Sequence, residues 1–158
     1  MLNMSELARG GTKCHGKAGL AEGAGAHTLL ILAADGTAFL NYSINGIAYV
    51  KADTDNIAMT ALVVQPDLYS CLYLVTLNAG GDLAIVKGVQ RLTADVTSGK
   101  NPLQWPVPAE DTCPIGGFRI DTDGITFTSG TTDLAAVAAA GTVTYYDFAR
   151  VPDTPIVS

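Results

Sequence analysis

YSCLYLVTLNAGGDLAIVKGVQR, from Tyr69 to Arg91, decides the fold class. Its first part, Ser70 to Leu77, is dense in β-branched, aromatic and aliphatic residues. On a strand, Tyr69, Cys71, Tyr73, Val75 and Leu77 share one face, while Leu72 and Leu74 keep the other from being purely polar. Near-continuous apolarity over about eight residues predicts a strand buried on both faces. Asn78-Ala79-Gly80-Gly81-Asp82 supplies residues that tolerate positive φ, as a short hairpin loop requires. Leu83, Ile85 and Val89 alternate through the return strand.

Upstream, the same grammar repeats. Thr28 to Ala33 is a short apolar strand, and Asp35-Gly36 marks a turn. Ala38 to Ile44 and Ile47 to Lys51 alternate around Asn45-Gly46, the strongest two-residue hairpin signal in the chain. Asp53-Thr54-Asp55-Asn56 breaks the pattern and Ile57 to Val64 resumes it, with Gln65-Pro66-Asp67 as the next turn. Downstream come a strand at Ile115 to Asp121, a turn at Asp123-Gly124 and a short edge strand at Ile125 to Thr128. Asp133 to Ala140 is alanine-rich, a helical turn or two capped by Thr132 or Asp133 and stopped by Gly141. Thr142 to Phe148 is the last strong strand. Eight or nine short strands with regular turns predict an all-β sandwich of jelly-roll-like, antiparallel form.

Two segments stand apart. Residues 1–26 hold six glycines and few large apolar residues after Leu7. Such a composition predicts an extended or flexible arm that orders against a partner, with 27–158 as the single sandwich domain. Between Thr93 and Pro114 lie Pro102, Pro106, Pro108 and the only tryptophan, Trp105. Dense prolines deny backbone donors and predict a long extended loop. There Trp105 is either a partner anchor or a plug over the end of the sandwich, and the plug is favoured because large aromatics are usually well buried.

The totals bear on function. Charged residues make up 15% of 158, against about 25% in an average domain, and mean hydropathy is positive. A surface this uncharged predicts that other subunits cover part of it. Net charge is −6, unevenly placed. In residues 1–26, Arg9, Lys13 and Lys17 against Glu6 and Glu22 give +1, leaving −7 on the body. An acidic body repels phosphate backbones and argues against a nucleic-acid partner. Apolar runs such as Leu29 to Ala34 are far below the ~20 residues of a membrane-spanning helix, so no membrane partner is expected. MLNMSELARGG lacks the continuous apolar core of a secretory signal. Cys14, Cys71 and Cys113 form no disulfide framework and suit a reducing compartment.

Motifs that carry chemistry fail on inspection. Gly11-Thr12-Lys13-Cys14-His15-Gly16-Lys17 spells most of a P-loop, but Ala18 replaces the hydroxyl that would hold magnesium, and no strand leads in. Cys14 and His15 are adjacent rather than at zinc-ligand spacing, and His27 is the only other histidine. Asp53-Thr54-Asp55 and Asp121-Thr122-Asp123-Gly124 lack the third oxygen ligand and closing Glu of a calcium loop. No Gly-x-Ser-x-Gly elbow exists. These readings predict a non-enzyme without cofactor or metal.

Val86-Lys87-Gly88, a proline-rich loop, Cys113-Pro114-Ile115-Gly116-Gly117-Phe118-Arg119-Ile120, Phe127-Thr128-Ser129-Gly130-Thr131-Thr132-Asp133-Leu134, an alanine-rich segment and Val143-Thr144-Tyr145-Tyr146-Asp147 follow in that order. By this order, about residues 70–152, the chain resembles a family of tailed-bacteriophage virion structural proteins. The resemblance implies a capsid decoration, or cement, protein: made in the host cytoplasm, located on the virion surface, and bound to the major capsid protein. It also implies a homo-oligomer, a trimer rather than a dimer. In that role Arg9, Lys13, His15, Lys17 and Leu20 of the arm would meet the shell. Pro102, Trp105, Pro106 and Pro108 would form an interface loop. The alternatives are a fibre or spike knob that binds host glycans, and a bacterial β-sandwich binding module unrelated to phage.

Overall fold

The computed structural model describes residues 11–34, 36–152 and 156. Its centre is β7 (Tyr69–Leu77), buried at every position after the first. A long antiparallel ladder joins β7 to β10 (Cys113–Asp121), in register from Ser70↔Asp121 to Leu77↔Cys113, with an irregularity between Pro114 and Gly116. β11 (Thr142–Asp147) continues the sheet beyond β10. On the other side of β7 lie β8 (Leu83–Lys87) and, past its end, β9 (Arg91–Leu92). The hairpin read from the sequence is therefore present, with Leu77 opposite Leu83. Val89 falls outside the return strand and is exposed, because the chain leaves the ladder at Gly88, whose N–H donates to Leu72 O.

Burial on both faces of β7 has a direct cause. Cys71, Tyr73, Val75 and Leu77 point into the main core, while Leu72 packs with Val96, Leu103, Trp105 and Ile156 on the opposite side. In the main core the Tyr73 ring stacks on Phe118 at 5.1 Å and meets the edge of Phe127 at 5.4 Å. Its hydroxyl donates to Gln65 Oε1 at 2.9 Å, and Gln65 Nε2 donates to Tyr69 O and Ile120 O. The polar atoms of Tyr73 and Gln65, buried in this core, are thus satisfied.

Two three-stranded sheets complete the fold. β1 (Lys13–Cys14), β4 (Phe39–Ile44) and β5 (Ile47–Ala52) form one, in that order. Its hairpin turns at Asn45 and Gly46, φ 52° and 84°, and two left-handed residues are what a tight two-residue turn needs. β2 (Ala21–Glu22), β3 (Thr28–Ile31) and β6 (Thr54–Ala58) form the other. All paired strands are antiparallel, and the class is all-β. α1 (Thr93–Thr97) and α2 (Leu134–Ala140) are short. Asp133 caps α2, accepting from Ala135 N, and Gly141 ends it.

Several boundaries differ from the sequence reading. The strand expected at Ile57 to Val64 is β6, ending six residues earlier and starting within the supposed break, because Thr54 and Ile57 pair with Ile31 and Leu29. Residues beyond Met59 cross toward β7, and Val63 and Val64 are exposed. Ile125 to Thr128 contributes only the bridge Gln65↔Phe127. The expected loop between Thr93 and Pro114 begins with α1, where Val96 is buried against Leu72.

The division at residue 26 does not survive in the described part. Residues 11–26 supply β1 and β2, and Cys14, Ala18 and Leu20 are core residues. The segment is extended, but it is built into the body.

Candidate functional site

Residues 11–20 alternate between core and solvent. Cys14 and Ala18 turn inward; Lys13, His15 and Lys17 are exposed. Leu20, expected to meet a partner, is buried: its N–H donates to Asp147 Oδ1 at 3.2 Å, and its side chain lies where a Cβ on Gly116 would go. It is a core residue because β10 carries glycine opposite it. Arg9 lies outside the described residues. The structure therefore brings Lys13, His15 and Lys17 to one exposed stretch and withdraws Leu20 from it.

The proline-rich segment is a strap across the outer face of the central sheet. Trp105 is half-buried, edge-on to Tyr146 at 5.6 Å and Phe148 at 5.1 Å. Its six-membered ring fills the space above Gly117, where any Cβ would collide with it. Trp105 is thus a plug, placed on the sheet face rather than over the end of a sandwich. Pro102 and Pro106 are half-buried and Pro108 is buried. The strap's exposed apolar residue is Val107, at 73% exposure.

A second surface escaped the sequence reading. Val63, Val64, Leu68, Val89 and Leu92 are all exposed around the start of β7. They are drawn together by backbone and side-chain bonds. Lys87 Nζ donates to Val63 O and Val64 O at 2.9 Å and to Gln90 Oε1 at 2.8 Å. Thr93 N donates to Leu68 O, and Leu92 pairs with Tyr69. Partial burial pulls the Lys87 ammonium below its ordinary value. The result is an apolar rim bordered by the exposed Arg91. The only signal in the sequence was Val63-Val64 and Val89, which read as strand interior because apolar residues in β-rich patterns are assigned inward by default.

Burial sets the character of the interior thiols. Burial raises the Cys14 thiol, and pushes Cys71 to about 11 and Cys113 to about 12. Thiols held so high stay protonated at neutral pH and are poor nucleophiles. His15 is exposed, while His27 Nδ1 and Ser129 Oγ are buried without a partner. Among the described residues, no group of three or more His, Cys, Asp or Glu is placed to hold a metal ion. No helix among them is long and apolar enough to cross a membrane.

Glu22 and Asp133 converge on one donor, the Ala135 N–H at the start of α2, at 2.8 and 3.4 Å. Burial, then the neighbouring Asp133, raises the Glu22 carboxyl above its ordinary value. The pair ties β2 to α2. No known protein family, curated protein or solved structure matches the chain.

Proposed function

We propose that this chain is a non-enzymatic assembly protein of a virion surface, a capsid decoration or cement protein that binds the major capsid protein. The observation that carries this reading is the apolar rim of Val63, Val64, Leu68, Val89 and Leu92, with exposures from 46% to 78%. Clustered large apolar residues on a low-charge surface are costly to leave in water and mark protein contact sites. The resemblance of residues 70–152 to phage virion proteins supplies the kind of partner. In this reading the rim joins copies of the chain, trimers favoured over dimers, and the exposed Lys13, His15 and Lys17 face an acidic shell. A jelly-roll-like arrangement of the sandwich belongs to the same reading, as does location on the virion surface. Trp105 is engaged with Tyr146 and Phe148, which weighs against the glycan-binding knob, since that reading needs exposed aromatic platforms.

Residues 1–24 are unsuited to deletion as a unit, since the deletion removes β1 and β2. The test is substitution. Val63→Asp with Val89→Asp should leave a folded monomer in sedimentation velocity where the wild type is oligomeric. Lys13→Glu with Lys17→Glu should abolish co-sedimentation with expanded phage capsids. A wild-type monomer that neither binds capsids nor changes with these substitutions would overturn the reading, and retention on cell-surface polysaccharide would replace it with the knob.

A further inference from the structure

The tip of the β4–β5 hairpin carries an Asn-Gly pair in an unusual setting. Asn-Gly is the dipeptide most open to deamidation, because glycine places no side chain in the way of its own backbone nitrogen. In that reaction the Gly46 nitrogen attacks Asn45 Cγ, the Cγ–Nδ2 bond breaks and ammonia leaves. Water then opens the cyclic imide to Asp or isoAsp. The net change is addition of one water and loss of one ammonia.

Here both reacting groups are held. Gly46 N–H, the nucleophile's nitrogen, donates to Gly11 O at 3.0 Å. The leaving group, Asn45 Nδ2, donates to Asp111 Oδ1 at 2.7 Å. Asn45 N–H donates to Thr12 Oγ1 at 2.9 Å, so the turn is pinned at a third point. Asn45 and Asp111 both sit at positive φ, 52° and 54°, and face each other across the contact. Asn and Asp tolerate that region better than other side chains.

We propose that Asn45-Gly46 is a guarded deamidation site, with Gly11, Thr12 and Asp111 as the guard and the hairpin tip as a one-way switch. The guard opens only when residues 11–12 or the 109–112 turn lift off. Conversion then cannot be undone. The amide that donated to Asp111 becomes a carboxylate facing a carboxylate, and attraction turns to repulsion. Water is the only co-reactant. The switch therefore records that the guard has opened, and it keeps the 109–112 turn from closing again on the hairpin tip.

The measurement is peptide mass spectrometry of the full chain held in mildly alkaline buffer, following Asn45 in the tryptic peptide 18–51. Asn45 should persist as amide in the wild type and convert about fivefold faster in Asp111→Ala and in Thr12→Ala, the loss of roughly one net hydrogen bond each. Hydrogen exchange reads the second half. Asn45→Asp should speed amide exchange across 109–112, and Asn45→Asp combined with Asp111→Asn should return it to the wild-type rate. Equal conversion in wild type and guard variants overturns the guard. Unchanged exchange in Asn45→Asp, or no rescue by the double variant, overturns the switch.

Discussion

β7 and β10 meet the core through large side chains; residues 11–19 meet the same core through small ones. In the first region Tyr73, Phe118, Val75 and Ile120 are wholly buried, and each adds apolar area removed from water. In the second, Ala18 is equally inaccessible, yet its neighbours Gly16 and Gly19 contribute almost no area of their own. What glycine supplies there is nearness. Gly19, at φ 58°, lies so close to β3's continuation that any Cβ would overlap Leu32 O. Leu32 N in turn donates to Ala18 O at 3.0 Å. A glycine-rich composition signals flexibility when nothing approaches the chain, and close backbone packing when something does. The composition alone does not separate the two.

The largest effect expected tests the first region. Phe118 is fully buried between Tyr73 and Tyr145. Phe118→Ala should cost about 3–5 kcal/mol in urea denaturation, the usual range for a buried aromatic truncated to alanine. A loss under about 1 kcal/mol, the level of surface substitutions, would show that β7 and β10 are not the centre of stability.

A smaller effect decides whether residues 11–26 belong to the body. Gly19→Ala combines a disfavoured backbone region with an overlap on Leu32 O, and should cost about 1–3 kcal/mol. In a spacer that only drapes over the domain, the same substitution would stabilise slightly, by limiting the unfolded chain. The sign of the change in the denaturation midpoint separates a built-in segment from an arm.

The contrast also explains what was legible in advance. The β7–β8 hairpin, the Asn45-Gly46 turn, and the α2 cap at Asp133 with its stop at Gly141 could all be read, because each is fixed by residues near in sequence. The N-terminal segment could not, because its partners are distant: Cys14 N–H donates to Ala149 O, and Leu20 N–H to Asp147 Oδ1. The same holds for the candidate surfaces. Lys13, His15 and Lys17 were found by charge, which needs no fold. The apolar rim is not legible because Val63, Val64, Leu68, Val89 and Leu92 come from separate stretches that the Lys87 bonds, the Thr93–Leu68 bond and the Leu92–Tyr69 pairing bring together. Size alone marks Trp105 as a plug, but its seat on Gly117 depends on strand register.

The smallest expected effect lies where the two kinds of packing are tied together, at Glu22 and Asp133. Raised by burial and by its neighbour, Glu22 holds a proton in the folded chain at pH values where the unfolded chain has released it. Its contribution to stability is therefore complete below the ordinary value of 4.5 and declines as pH rises through the raised one. That is opposite to a salt-bridged carboxylate, whose contribution is lost on acidification. Glu22→Gln keeps an oxygen for the Ala135 N–H and cannot ionise, so its stability relative to wild type should improve as pH climbs from 4.5 toward neutrality. Because the carboxyl is largely solvated, the change should be modest, and paired denaturation curves across that range would resolve it. Parallel pH profiles for the two proteins would mean that Glu22 ties β2 to α2 through the Ala135 bond alone, whatever its charge.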